Sequence, residues 1–175
     1  MIIQENFKIE TERLNLVLID LKYQDDIFRE FTEEVAKYLT PKPTGNIADI
    51  VNFIESSRSE TLNGKQLQMV AIEKKSGDFV ACLGLHELNT KNLELGLWFK
   101  ESAWGKGYGK ESMLALKKWA DANLDYDKII YPVFKENLPS RKIAEFLGGK
   151  LEREFIGKNQ RGEENEEVEY FIYKL

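Results

Sequence analysis

Cysteine and histidine are nearly absent from this sequence, since Cys82 and His86 are the only ones among its 175 residues. A single cysteine excludes an intrachain disulfide and a cysteine-based metal site. Cys82 lies in an apolar stretch, residues 79–85, which predicts a buried core thiol. We therefore expect no metal ion, and we expect a cytoplasmic location, where free thiols persist.

Long apolar runs and an excess of positive charge are also missing. No apolar run approaches the ~20 residues of a membrane span, and residues 1–10 lack the hydrophobic segment of a signal peptide. The net charge of −5 has the wrong sign for general binding to nucleic acid or to anionic membranes. We therefore expect neither nucleic acid nor a membrane among the partners.

What the sequence does contain is typical of an ordinary globular domain. Hydrophobic residues make up 42% and charged residues 31% of the chain, and this length favours a single domain spanning residues 1–175. Apolar spacing predicts the order β-α-α-β-β-β-α-β-α-β-β, a mixed sheet with helices on both faces. The predicted strands span 9–19, Leu67–Glu73, 79–88, 93–99, Lys128–Phe134, 150–156 and 167–174, and the predicted helices span 23–31 with 33–39, Ile47–Leu62, 111–124 and 140–147.

A proline inside a central strand predicts an opening in this sheet. Pro132 falls within the apolar strand Lys128–Phe134, where a missing N–H interrupts the hydrogen bonds to a neighbouring strand. We expect the strands 93–99 and Lys128–Phe134 to diverge near Pro132. Their unpaired backbone groups could then bind a ligand that contains amides.

Three alternating glycines, Gly105, Gly107 and Gly109, separate an apolar strand from an amphipathic helix. Glycine permits positive φ and close approach, and a helix N-terminus attracts anions. The loop 104–110 therefore predicts a diphosphate site. It matches neither common nucleotide motif, because Glu111 replaces the hydroxyl residue of a Walker A loop and Gly109 comes one residue too early for a dinucleotide fingerprint. A glycine turn without a ligand is the alternative.

The motifs around this loop carry a family resemblance. They are Thr11-Glu12-Arg13-Leu14-x-Leu16, Glu94-Leu95-Gly96-Leu97-Trp98-Phe99, Trp104-Gly105-Lys106-Gly107-Tyr108-Gly109, and Asn137-x-x-Ser140-Arg141 followed by Glu145, Leu147 and Gly148. Together they cover nearly the whole chain, and they resemble the GNAT acetyltransferase superfamily. The similarity is greatest to its RimJ/RimL-like branch of ribosomal-protein N-terminal acetyltransferases.

The resemblance implies a fold and a cosubstrate. The implied GNAT fold is α/β, with a mixed, mostly antiparallel sheet of about seven strands, helices on both faces, and a splay between the fourth and fifth strands. The implied cosubstrate is acetyl-CoA, whose diphosphate is held by the backbone of Trp104, Gly105, Lys106, Gly107, Tyr108, Gly109 and Lys110. Backbone groups of Trp98 and Phe99 are implied for the pantetheine arm and the acetyl carbonyl, and Asn137 lies near that arm.

Glu94 is the first candidate for a general base. It shares a strand face with Gly96 and Trp98 and stands between leucines, an environment that favours a raised carboxyl pKa. A carboxylate that reaches solvent or pairs with a lysine is the alternative. His86 has a suitable pKa for the same role, although a lone histidine on a strand is more often structural.

Ser140 is the candidate for interacting with the leaving group, the CoA thiolate. The resemblance implies that it contacts the CoA sulfur, and a place at a helix N-terminus is compatible with that role. Many relatives carry a tyrosine as general acid seven residues after the asparagine, but Ala144 stands there in this sequence. Gly149 likewise replaces an aromatic residue. The proton donor to the thiolate therefore stays open between Ser140, water and solution.

Together these observations predict an acetyl-CoA-dependent N-acetyltransferase in which a primary amine attacks the thioester directly in a ternary complex. The expected acceptor is a protein N-terminus or a small amine, and Tyr38, Trp98 and Trp104 are candidates for lining its pocket. The acidic residues Glu163, Glu164, Glu166 and Glu167 could attract a cationic acceptor, but such a charge run more often marks a solvated hairpin loop. A non-catalytic acyl-CoA-binding module and a nucleotide-binding protein are the alternatives, and both a monomer and a homodimer are compatible with the sequence.

Overall fold

The computed structural model describes residues 3–174. Met1, Ile2 and Leu175, the ends of the predicted domain, lie outside the described residues. The strands are β1 (Lys8–Glu10), β2 (Leu14–Leu18), β3 (Leu67–Glu73), β4 (Phe79–His86), β5 (Asn92–Phe99), β6 (Lys128–Phe134), β7 (Lys150–Lys158) and β8 (Glu164–Tyr173), and the α-helices are α1 (Gln24–Glu30), α2 (Ile47–Leu62), α3 (Tyr108–Asn123) and α4 (Leu138–Phe146). The eight strands form one sheet in the order β1-β2-β3-β4-β5-β6-β8-β7, which confirms the predicted mixed architecture.

The additional strand arises at the start of the chain. The predicted strand 9–19 is wrong in its first part, because a turn divides it into β1 and β2, which pair antiparallel. The side chain of Thr11 causes the turn: its Oγ1 accepts a hydrogen bond from the N–H of Leu14 (2.9 Å). Apolar alternation alone does not reveal this turn, because it continues across the break.

The sheet is antiparallel except where β5 and β6 run parallel and open. Their pairing is limited to three positions and ends at Glu94, which pairs with Ile130. Beyond that point β5 pairs only with β4, and β6 pairs only with β8. This confirms the predicted splay, and Pro132 lies in the part of β6 that has no β5 neighbour.

Apolar side chains cover both faces of the sheet. Successive residues of β3 enter different clusters, since Met69 packs with the larger cluster and Val70 with the smaller one. The larger cluster contains side chains from α3 and α4, whereas the smaller one contains Ile27 of α1 and Ile54 of α2. Cys82 is buried in the smaller cluster, as predicted.

The positions of α1 and α2 agree with the predictions to within one residue, whereas α3 and α4 begin earlier than predicted. α3 begins at Tyr108, before the predicted 111, because Gly107 adopts a left-handed conformation and forms its N-cap. α4 begins at Leu138, because the side chain of Asn137 caps it and Pro139 is suited to the first turn. The predicted helix 33–39 is a 3-10 turn, Val35–Tyr38. None of the helices within residues 3–174 is long and apolar enough to cross a membrane.

Candidate functional site

The glycines of loop 104–110 are required for two different reasons. Gly105 and Gly107 have φ values of +72° and +81°, which other residues rarely adopt. Gly109 has no such φ, but a Cβ on it would lie 2.7 Å from Cδ1 of Ile143 on α4. The loop therefore combines two left-handed positions with a close contact between α3 and α4.

This conformation leaves a row of hydrogen-bond donors without protein partners. No acceptor within residues 3–174 takes a hydrogen bond from the backbone N–H groups of 105–110. The next backbone N–H group along the chain, that of Glu111, donates a hydrogen bond to the carbonyl of Gly107 (3.2 Å). Free N–H groups at the N-terminus of a 16-residue helix attract an anion through both hydrogen bonds and the helix dipole.

The loop borders a cleft that occupies the opening between β5 and β6. The cleft has a volume of about 390 Å³. Ser140 and Tyr38 line the cleft, together with most of the predicted cosubstrate-binding residues. These cosubstrate-binding residues are Trp98, Phe99, Trp104, Gly105, Gly107, Tyr108, Gly109 and Asn137. Lys106 and Lys110 belong to the loop but do not line the cleft, and Nζ of Lys110 lies 5.0 Å from the ring centroid of Phe146.

Tryptophans anchor the end of β5 at the cleft. The indole Nε1 of Trp104 donates a hydrogen bond to the carbonyl of Phe99 (2.9 Å), so this carbonyl is already engaged within the protein. The ring of Trp98 packs against Phe31 and Phe79, with centroid distances of 5.2 and 5.6 Å. These contacts fix the strand end that faces the opening.

The start of α4 presents Ser140 to the cleft with its hydroxyl already hydrogen-bonded. Oδ1 of Asn137 accepts a hydrogen bond from the N–H of Ser140 (3.2 Å), so Asn137 is the cap and Ser140 lies in the first turn. Oγ of Ser140 lies 2.6 Å from Oη of Tyr131. Tyr131 is fully buried, and desolvation raises the pKa of its phenol to about 12, although the hydrogen bond with Ser140 lowers it in part.

Either hydroxyl of this pair can be the donor. The phenol of Tyr131 stays protonated at all physiological pH values, and a buried O–H must donate to an acceptor. Within residues 3–174, Oγ of Ser140 is the acceptor in reach. When Tyr131 donates to Ser140, the proton of Ser140 is free to point elsewhere. Sequence reasoning missed Tyr131, because only the fold brings these two positions together.

The two candidate bases lie side by side, but they line a different cavity. Glu94 and His86 are cross-strand partners in β5 and β4, and both line a cavity of about 500 Å³ together with Gln66 and Glu87. Burial raises the pKa of Glu94, and the charges of Glu87 and Glu169 raise it further. Burial lowers the pKa of His86, whose Nδ1 lies 2.7 Å from Oε1 of Gln66. Since an amide oxygen only accepts, Nδ1 carries the proton.

Glu167 is a buried carboxylate at the position where the sequence predicts both the end of an acidic loop and the start of the strand 167–174. The structure places it in β8, where it pairs with Phe134 of β6 and Phe155 of β7. Burial raises its pKa. The predicted strand is confirmed, since Val168 and Tyr170 on either side of Glu169 face the core.

Comparison with known proteins gives this geometry a family context. The profile of the acetyltransferase (GNAT) domain matches residues 13–150. The uncharacterized N-acetyltransferase p20 of Bacillus licheniformis is 23% identical over 168 residues, which cover 94% of this chain and 93% of that protein.

Solved structures with the same fold include two acetyltransferases whose ligand or substrate is known. The microcin C7 self immunity acetyltransferase MccE, solved in complex with acetyl-CoA and AMP, has a TM-score of 0.86 and 18% identity, with 98% of each chain covered. An acetyltransferase of Salmonella typhimurium that modifies the N-terminal serine of 50S ribosomal subunit protein L7/L12 has a TM-score of 0.83 and 15% identity, with 95% of this chain and 99% of that chain covered.

Proposed function

The chain belongs to the GNAT acetyltransferase family and is an acetyltransferase, and we propose that it transfers the acetyl group of acetyl-CoA directly to a primary amine. One observation carries this proposal: the unpaired N–H groups of 105–110 at the N-terminus of α3 border the cleft between β5 and β6. A loop of this kind suits a diphosphate, and the adjoining opening suits an arm that contains amides. The complex of MccE with acetyl-CoA supports the same cosubstrate.

We propose that Ser140 protonates the leaving group. When the amine nitrogen bonds to the acetyl carbon, the C–S bond breaks and the thiolate sulfur requires a proton. Ser140 lines the cleft, and its Oγ lies within hydrogen-bond distance of Oη of Tyr131, which we take to be the donor. Ser140 can therefore give its proton to the sulfur and recover one from water, while Tyr131 stays protonated in the core.

We propose that Glu94 accepts the proton that the amine loses. Glu94 lies four residues before Trp98 on the same face of β5, which is roughly 13 Å along a strand. Its cavity also differs from the cleft, so the proton is transferred through water rather than by direct contact. Its raised pKa brings the carboxylate closer to neutral pH, where a base is most effective.

The proposed acceptor is a protein N-terminus, with a small amine as the second candidate. The Salmonella neighbour modifies an N-terminal serine, and the cleft is bordered by the 3-10 turn Val35–Tyr38 as well as by β5 and α4. The buried free thiol of Cys82 supports a cytoplasmic location for this reaction.

The release of CoA thiol from acetyl-CoA tests this function. We expect release to require both acetyl-CoA and one class of amine in a panel that contains a peptide with N-terminal serine, free amino acids and polyamines. Mass spectrometry of the products should show one added acetyl group. Binding of acetyl-CoA without release in the presence of any amine would instead favour a non-catalytic acyl-CoA-binding module. A larger thermal stabilisation by ATP than by acetyl-CoA would overturn the choice of donor.

A further inference from the structure

Arg13 connects the start of the chain to the glycine loop. It lies in the turn between β1 and β2, and its Nη1 donates a hydrogen bond to the carbonyl of Lys106 (2.9 Å). Its guanidinium also lies over the ring of Tyr108, 4.5 Å from the centroid. A residue 93 positions away in sequence thus holds the centre of the loop from the side of the sheet.

The same side chain holds the acidic residue that follows the loop. Nε and Nη2 of Arg13 each lie 2.6 Å from Oε2 of Glu111, and the backbone N–H of Arg13 donates to Oε1 (2.8 Å). The hydroxyl of Thr11 donates to Oε1 as well (2.6 Å). Burial raises the pKa of Glu111, but these hydrogen bonds outweigh burial and the net pKa is lowered. Glu111 is therefore ionised in the first turn of α3, close to where an anion binds.

The hydrogen bond to Lys106 determines the direction of a loop N–H. In a trans peptide the carbonyl of one residue and the N–H of the next point in opposite directions. When Arg13 holds the carbonyl of Lys106, the N–H of Gly107 must point away from Arg13. Left-handed glycines on both sides of Lys106 allow successive N–H groups to converge, as in an anion-binding nest.

We propose that Arg13 is a positioning residue for the diphosphate of the donor. It keeps the loop in its anion-binding conformation before the donor arrives, and it neutralises Glu111, which would otherwise repel the diphosphate. Its polar atoms are engaged by Glu111 and by the carbonyl of Lys106, so it acts through the loop rather than on the ligand. This role rests on the proposed function, because it takes acetyl-CoA to be the ligand of the loop.

Substitution of Arg13 combined with two donors tests the proposal. S-acetylpantetheine carries the same thioester and arm as acetyl-CoA but no diphosphate. We expect Arg13→Gln to raise the Kd of acetyl-CoA about tenfold, the factor expected from the loss of a charge-assisted hydrogen bond. The Kd of S-acetylpantetheine should change less than about twofold, since no diphosphate contact is lost. Both can be measured by quenching of tryptophan fluorescence, because Trp98 and Trp104 line the cleft.

The matched control is Arg58→Gln. Arg58 also pairs with two acidic residues, Asp20 and Glu5, but it does not touch the loop, so this variant should bind both donors like the wild type. If Arg13→Gln does not fold, Arg13→Lys is the second variant. It keeps the charge near Glu111, but one ammonium group cannot reproduce the fork that also reaches Lys106, so it should weaken acetyl-CoA binding in the same direction.

Two results overturn the proposal. One is an unchanged acetyl-CoA affinity in the folded Arg13 variants, and the other is an equal loss of affinity for both donors, which indicates a general structural role. Both results differ from the one expected if the proposed acetyl-CoA-dependent function itself is wrong. A wild-type chain that binds neither donor contradicts the function before any variant is compared, whereas binding without turnover leaves the Arg13 test intact.

Discussion

At the scale of single residues, the contact between Tyr131 and Ser140 replaces a residue that the sequence lacks. The family resemblance implies a phenolic acid seven residues after the asparagine, but Ala144 stands there and is fully buried. The fold supplies a phenol from β6 instead, 2.6 Å from the hydroxyl of Ser140. Because burial raises the pKa of this phenol, we propose that it orients Ser140 rather than giving up its own proton.

We predict that Tyr131→Phe lowers kcat about threefold to tenfold, the usual effect of one hydrogen bond, and leaves the KM of acetyl-CoA unchanged. In a Ser140→Ala background the same substitution should have no further effect on kcat. Steady-state kinetics of the two single variants and the double variant give this comparison. Tyr170→Phe is the control, because Tyr170 is also buried and contacts α4, but at Arg141 and Glu145. Additive losses in the double variant would contradict a role through Ser140.

The raised pKa of Glu94 predicts a pH dependence. A base must be deprotonated, so activity should rise with pH through a midpoint above 4.5, the ordinary value for a glutamate. In Glu94→Gln this acidic limb should vanish and kcat should fall about 100-fold, with the KM of acetyl-CoA unchanged. Profiles of kcat/KM between pH 5 and 9 measure both effects. Glu167→Gln is the comparison, since burial leaves the net pKa of Glu167 raised as well. Full activity of Glu94→Gln, with loss in Glu167→Gln, would transfer the role to Glu167.

At the scale of elements, the glycine loop and the N-terminus of α3 form one unit. The loop could be predicted from three glycines before an amphipathic helix, but the start of the helix at Tyr108 could not. Glycines disfavour a helix by propensity, whereas Gly107 here forms the N-cap and Gly109 lies within the first turn. The contact of Arg13 with Lys106 also escapes local reasoning, because it joins residues that only the folded sheet brings together.

Gly107→Val tests the conformation of this unit. A β-branched residue at a φ of +81° costs about 1–3 kcal/mol, so the loop should change its backbone and lose affinity for acetyl-CoA. Calorimetric titration of the folded variant measures that loss. Gly45→Val is the control, because it introduces a similar backbone strain at a φ of +74° but has open space around its Cβ and lies away from the cleft. This variant should bind acetyl-CoA with the affinity of the wild type. Equal affinities of the two variants would count against the loop as the diphosphate site.

At the scale of the whole molecule, the opening between β5 and β6 determines where the cleft lies. Three cross-strand pairs are the only β5–β6 pairing within residues 3–174. Pro132 predicted this opening from sequence, and the strands Leu67–Glu73 and Lys128–Phe134 and the helix Ile47–Leu62 were predicted to the residue. The family predicted from motifs is confirmed. The role of Tyr131 depends on a contact between β6 and α4, and the burial of Glu167 depends on packing between strands, so the sequence pattern reveals neither.

A ligand that fills this opening should stabilise the whole fold. Acetyl-CoA at about 100 times its Kd adds roughly 2.7 kcal/mol to the free energy of unfolding, which for a domain of this size raises Tm by about 5–10 °C. Differential scanning fluorimetry with acetyl-CoA, S-acetylpantetheine and ATP measures the shifts. We expect the order acetyl-CoA, then S-acetylpantetheine, with ATP below acetyl-CoA. Equal Tm shifts with all three ligands would indicate that binding does not involve the opening between β5 and β6.

The central claim is that the backbone N–H groups of 105–110 hold the diphosphate of acetyl-CoA, and amide NMR of the uniformly labelled chain tests it most directly. On addition of acetyl-CoA we predict large shifts and slowed hydrogen exchange for the N–H groups of Gly105, Gly107 and Gly109. Saturation with S-acetylpantetheine, which lacks the diphosphate, should affect them far less. If acetyl-CoA binds and shifts residues elsewhere while these amides keep their shifts and exchange rates, the assignment of the loop is wrong.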